Sequence, residues 1–230
     1  MSLPFLQNYL GLSSGLQTTQ GGVTPTFQDD YTTNSGWTQT GTTITVDSGV
    51  ADKLAGVSVT NSSDQRVSKA LGVTLSDSLW RCDCDFNMTT APTTDGRGFP
   101  LFVSTGTAKY RDGSHDALAI RLLELSGAFR LGMSYNLAGT VTHFTDATTI
   151  AISTSTTYYL RFGRTSTTNA RLSVFTDASR VTHQSGSPIN FTIDAGVGTL
   201  VTLQHGSDDV SLAGWSATID NTKIYNNMSP

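Results

Sequence analysis

The sequence predicts an all-β chain: a sandwich or barrel of antiparallel strands preceded by a short arm. Three observations carry that expectation. Ser and Thr make up about 27% of the 230 residues, against 14% charged and 37% hydrophobic. Thr favours strands and Ser favours turns, whereas a coiled coil or helical bundle needs runs of Ala, Leu, Glu and Lys that this chain lacks. Short apolar segments recur along the chain, separated by clusters of Gly, Asn, Asp, Ser and Pro. Finally, aromatic residues are 9% of the chain and spread along it, at a net charge of only -4. Disordered chains combine few aromatics with high net charge, so this one is expected to build a core.

Taken in order, residues 1–26 read as an arm and linker. Leu3, Phe5, Leu6, Tyr9, Leu10 and Leu12 have a loose helical spacing over two turns, too short to stand alone. Gly21, Gly22 and Pro25 then break the pattern. Two placements stay open for the arm: packed on its own domain, or docked on a neighbouring subunit. Residues 27–230 read as one sandwich domain. Expected strands are 42–47, 56–60, 66–71, 79–88, 99–104, 117–125, 128–135, 148–153, 157–164, 170–176, 198–205 and 213–226, with a helical turn near 206–212.

The charge balance excludes classes of partner. With 14 basic residues and a pI near 5.4, the chain is unsuited to holding nucleic acid through its phosphates. No basic run suits an anionic membrane, and no apolar stretch approaches the ~20 residues of a spanning helix. The opening MSLPFLQNYLGL lacks a basic leader and a cleavage site. It suggests release by another route, such as a phage or virus particle, or a leader removed beforehand.

The segment LWRCDCDFNM alternates, with Trp80, Cys82, Cys84, Phe86 and Met88 on one face and Arg81, Asp83, Asp85 and Asn87 on the other. Side chains at i and i+2 of a strand stand parallel about 6.6 Å apart, which predicts two buried free thiols rather than a disulfide.

Four stretches together resemble the concanavalin A-like family of jelly-roll sandwiches in its laminin-G-like form. They are FQDDYTTNSGWTQTGTTITVDSGVADKL (27–54), LWRCDCDFNM (79–88), TTYYLRFGRTSTTNARLSVFTD (156–177) and AGWSATIDNTKIYNN (213–227). Each is a weak motif; their order and spacing carry the likeness over about 200 residues. The resemblance implies two antiparallel sheets with the first and last strands adjacent, a fold that hosts lectins, adhesion modules, virion-surface modules and hydrolases alike. It also implies a candidate calcium: if the ends pair, Asp30 and Asp220 approach, and such modules often carry a structural calcium. Turn capping by the same aspartates is the alternative.

Residue chemistry argues against catalysis. Glycosidases need two suitably spaced carboxylates, and this chain has a single glutamate, Glu124. Asp83 and Asp85 are the one close same-face pair on an expected strand. The fold's lyases use Arg, Gln, His and Tyr, types present here as Arg121, Arg130, Arg161, Gln204, His205 and Tyr159. Their motifs are absent, and adjacent Gln204 and His205 must face opposite ways. His115, His143, His183 and His205 are too dispersed for zinc. For glycan contact, an aromatic face beside polar donors is needed, and Arg97, Tyr110, Arg111, His115 and Asp116 in the polar loops 89–98 and 105–116 supply those types. The reading is therefore a non-enzymatic surface or assembly module on a virion or an extracellular surface. Neighbouring copies are engaged through residues 1–22, with glycan as a further partner; a lectin-like adhesin module is the alternative and a polysaccharide-degrading enzyme the third.

Overall fold

The computed structural model describes residues 23–41, 44–47, 50–52, 65–91, 96–113, 115–143, 148–207 and 215–230. These form sixteen strands and no helix. In chain order they are β1 (Phe27–Asp29), β2 (Thr38–Thr40), β3 (Thr45–Asp47), β4 (Val50–Asp52), β5 (Gln65–Ala70), β6 (Trp80–Thr90), β7 (Gly96–Ser104) and β8 (Ala117–Leu125). Then come β9 (Ala128–Leu137), β10 (Thr140–His143), β11 (Ile150–Ala151), β12 (Thr157–Ser166), β13 (Asn169–Phe175), β14 (Ile189–Thr192), β15 (Thr202–Ser207) and β16 (Ser216–Asn226).

Two antiparallel sheets face each other. One runs β14-β13-β12-β6-β16-β4-β3 with β1 also on β16; the other runs β10-β9-β8-β7-β15-β5-β2 with β11 on β9. The expected sandwich, rather than a barrel, is what forms. The ends do pair, with Phe27 opposite Ile224 and Asp29 opposite Thr222. The arm 1–22, the expected strand 56–60 and most of the 206–212 turn lie outside the described residues, and residues 206 and 207 belong to β15. Short strands β1, β2, β4, β10 and β14 were not anticipated.

The period-two alternation of β6 is realised. Trp80, Cys82, Cys84, Phe86 and Met88 are buried between the sheets, and both cysteines are free. Burial pushes both thiols up, Cys84 well beyond its ordinary range, so neither forms a reactive thiolate at neutral pH. The β8 sequence ALAIRLLEL lacks alternation because both its faces are covered. Leu118, Ile120 and Leu122 enter the main core, while Ala117 and Ala119 join a second cluster with Phe99, Phe102 and Tyr110. That second cluster lies on the outer face of the β7–β9 sheet, and residues 105–116 roof it.

Candidate functional site

The corner where the chain enters the sandwich is built by Asp29, Asp30 and Tyr31. Asp29 Oδ1 accepts the Tyr31 N–H at 2.7 Å, and Oδ2 accepts Trp37 Nε1 at 3.1 Å and Lys69 Nζ at 2.6 Å. Asp30 Oδ1 accepts the Thr32 hydroxyl at 2.9 Å, and these Thr32 hydrogen bonds lower its pKa. Tyr31 is completely buried and crosses between the sheets. Its hydroxyl lies 2.8 Å from His205 Nε2 and 2.5 Å from Thr222 Oγ1. Gln28, Asp29, Asp30, Thr33 and Lys69 line a polar depression beside this corner.

At the expected calcium position, Asp30 and Asp220 supply only part of a coordination shell. Calcium needs six to eight oxygen ligands. Asp30 Oδ1 is committed to Thr32 and Asp220 Oδ1 to the Asn221 N–H at 2.7 Å. Among the described residues no three His, Cys, Asp or Glu side chains gather as a metal site. The Asp220 carboxyl is pushed up by burial and, further, by neighbouring Asp85 and Asp30. Each aspartate also caps its local turn. The melting temperature is expected to stay unchanged on adding EDTA or millimolar calcium; a rise with calcium in differential scanning fluorimetry would restore the metal site.

The residues expected to contact glycan are placed differently from a sugar-facing loop, because the described part of 105–116 is a packed strap. Tyr110 is fully buried, with its ring 4.2 Å from Phe99 and 5.5 Å from Phe102 by centroids. Two side-chain amides reach up from the sheet to hold the loop backbone. Asn136 Nδ2 lies 2.7 Å from Tyr110 O, 3.1 Å from Asp112 O and 3.0 Å from His115 O. Gln204 Nε2 lies 2.7 Å from Ser104 Oγ, 2.8 Å from Gly106 O and 3.2 Å from Ala108 O. Arg66 Nε adds a bond to Thr107 O at 2.7 Å. Asp116 accepts the Ala138 and Gly198 N–H groups at 3.0 and 2.9 Å. The β9–β10 turn has φ of +46° at Ala138 and +88° at Gly139, and a Cβ on Gly139 would fall 2.7 Å from Gly113 Cα. The strap thus rests on that turn, where only glycine fits.

Tyr110 and His115 are therefore buried, and Asp116 is spent on backbone N–H groups; none can present a face to a sugar. Burial also lowers the His115 pKa, against the raising influence of Asp112 and Asp116. Arg111 is exposed, and the side chain of Arg97 is outside the described residues. Sequence reading missed the two amides that fasten the strap, although Gln204 and His205 do face opposite ways: Gln204 on the outer face, His205 between the sheets.

The outer face of the other sheet carries Asp83 and Asp85, the close same-face pair read from the sequence, and both are held by cationic or amide partners. Arg161, opposite Asp83 in register, grips it with Nε to Oδ1 at 2.9 Å and Nη2 to Oδ2 at 3.2 Å. Asp83 is only 6% exposed. Asp85 receives Arg180 Nη2 on Oδ1 and Asn221 Nδ2 on Oδ2, both at 2.8 Å. Arginine and aromatic groups stack alongside: Arg81 over Tyr225 at 4.4 Å, Arg161 over Phe175 at 5.6 Å and Arg180 over Tyr159 at 5.7 Å. The six lyase-type residues do not gather in one place, although Arg130 shares a face with Arg121 and Gln204. Tyr159 and Arg161 lie on this face, Arg121 and Gln204 on the outer face of the opposite sheet, and His205 between the two.

No protein-family model matches the chain, and no curated protein matches it. Solved structures do. The exoplasmic/lumenal domain of VIP36, in a form with Ca2+ and Man3GlcNAc bound, aligns with a TM-score of 0.57 at 12% identity, covering 89% of each chain. Lectin II from Ulex europaeus gives 0.54 at 9% identity over 88% of this chain and 98% of that one. The alginate lyase of Alteromonas sp. 272 gives 0.50 at 9% identity over 85% and 96%. What the chain shares with all three is the two-sheet jelly roll.

Proposed function

On this concanavalin A-like jelly-roll fold, which carries lectins and polysaccharide lyases alike, we propose a non-catalytic module that acts by surface contact with carbohydrate. One observation carries the reading. The close pair of carboxylates, Asp83 and Asp85, has all four oxygens bonded to Arg161, Arg180 and Asn221. Neither is free to protonate a leaving oxygen or to activate a water, as the two carboxyls of a glycosidase must. The single glutamate, Glu124, accepts the Gly127 N–H at 2.5 Å and shapes a turn. No product release is expected from a panel of β-glucans, galactans and alginate. Turnover that disappears in Asp83→Asn/Asp85→Asn would overturn the reading.

A second reading places the module on a phage or virus particle or another extracellular surface, with residues 1–22 docking on a neighbouring copy. Its support lies in the apolar arm and the Ser/Thr-rich, lysine-poor composition. Removing residues 1–22 is then expected to weaken self-association in size-exclusion chromatography and leave the melt of the sandwich intact. Unfolding on truncation would show that the arm belongs to the core.

A further inference from the structure

The outer face of β6, β12 and β16 holds an imbalance of charge around one carboxylate. Arg161 faces Asp83 from β12, Lys223 faces it from β16, and Arg81 lies two residues away on its own strand, opposite Tyr225. Three cations thus surround a single anion, a local excess of two positive charges in a chain whose net charge is -4. Arg161 already occupies both oxygens of Asp83. Arg81 reaches only to 3.5 Å from Oδ1, and its buried Nε has no hydrogen-bond partner. The Arg81 guanidinium carbon lies 4.4 Å from the Tyr225 ring centroid, a cation–π contact that uses none of its N–H donors. Lys223 forms no ion pair or hydrogen bond among the described residues. Elsewhere on the face Asp85 pairs with Arg180, Asp220 lies opposite Asp85, and Arg171 donates to the neutral Asn190 Oδ1 at 2.7 Å.

We propose that Arg81, Lys223 and Tyr225 form an oxyanion subsite that receives a carboxylate or sulfate group of an acidic polysaccharide. Lys223 has no protein acceptor among the described residues, Arg81 shares the single carboxylate of Asp83 with Arg161, and Tyr225 carries the Arg81 guanidinium, so the two cations keep charge to offer an oxyanion. A sugar polymer is favoured over nucleic acid because the positive excess is confined to one spot of an acidic protein, too small to track a phosphate backbone. The inference rests on the surface-contact reading above and names its ligand class and position.

The test uses the full chain in affinity electrophoresis and calorimetric titration with polygalacturonate, dextran sulfate and uncharged dextran. Wild type is expected to bind at least one acidic polymer, more weakly as salt rises, and not dextran. Arg81→Gln/Lys223→Gln is expected to lose affinity by about tenfold or more, a modest loss for two charge contacts. Lys223→Gln alone, which removes no contact within the protein, should lose part of it with an unchanged melt. Arg171→Gln on the same sheet should bind as wild type. Preference between the two polymers distinguishes a carboxylate from a sulfate ligand. Failure of both to bind, or equal binding by the double variant, overturns the subsite. Neutral-glycan binding without acidic binding overturns it while leaving the surface-contact reading in place. Cleavage of a bound acidic polymer refutes the non-catalytic reading and leaves the subsite standing.

Discussion

Tyr110→Ala is expected to lower stability by about 3–5 kcal/mol, the range for emptying a large buried aromatic position. Although it sits in a loop of polar residues, Tyr110 is completely buried and is the piece that joins the strap to the sheet. Its ring stacks on Phe99 and meets Phe102 edge-on, while its carbonyl is held by Asn136. Truncation leaves a cavity between strap and sheet and exposes Phe99, Phe102 and Ala119 beneath. Tyr110→Phe keeps the ring and should lose far less. Urea unfolding followed by tryptophan fluorescence and far-UV circular dichroism measures both. A loss under 1 kcal/mol for Tyr110→Ala would mean that the strap is no part of the cooperative fold. Asn136→Ala acts on the same strap, so the two losses should not add.

Stability is expected to fall as the pH drops from about 6.5 to about 4, through His205. This imidazole is fully buried between the sheets, and burial pushes its pKa down from 6.5 to about 4, against the raising effects of Pro100 and Asp29. Folded, it stays neutral in that interval; unfolded, it takes up a proton. The unfolded state therefore binds more protons, and stability rises with pH across the window and levels off above it. The full loss is on the order of 3 kcal/mol. His115, also lowered by burial, acts in the same direction. Asp220, whose carboxyl is raised by burial, opposes it as pH rises through its own titration. Asp177, held down to about 2 chiefly by Ser179, loses its contribution only at more acidic pH. His205→Gln, which keeps a neutral hydrogen-bonding group near Tyr31, should flatten the slope between pH 4 and 6.5 in urea titrations. An unchanged slope would show that His205 is not the group responsible.

The parts of the fold that follow from local pattern were readable. Trp80 through Met88 declares its buried face by strict alternation, and the Asp29–Tyr31 corner declares its turn by residue type. Edge strands such as Thr38–Thr40 and Ile189–Thr192 were not, because three or four largely polar residues carry no period of their own. The site was less legible for a different reason. Lys109, Arg111 and Asp112 make residues 105–116 look like a solvated loop, whereas the Tyr110 ring packs on Phe99 and Phe102 and the loop backbone is held by Asn136, 21 to 26 residues away, and by Gln204, 96 to 98 away from Ala108 and Gly106. Likewise the acidic pair Asp83 and Asp85 could be seen, but their partners Arg161 and Arg180 lie 78 and 95 residues further on. Long-range pairing across strands decides whether a charge is spare or spent, and no window of sequence displays it.

The order in which the strands are made bears on how the chain survives its own synthesis. β16 sits between β6 and the β1 and β4 strands, and β15 sits between β7 and β5. Each sheet is thus completed in its middle by a strand from residues 202–226. Until those residues leave the ribosome, the β7 sheet exists as two separate pieces and the β6 sheet as three, with β1 on its own, and the long strands β6 and β7 both present unpaired edges. Such edges are templates for pairing with another nascent chain. Closing pairs nearly two hundred residues apart, such as Phe27 with Ile224, also makes folding slow once the last strand arrives. The nascent chain is accordingly exposed to aggregation until the last strand arrives, and inclusion bodies on rapid overexpression would follow from the topology rather than from any weakness of the finished sandwich.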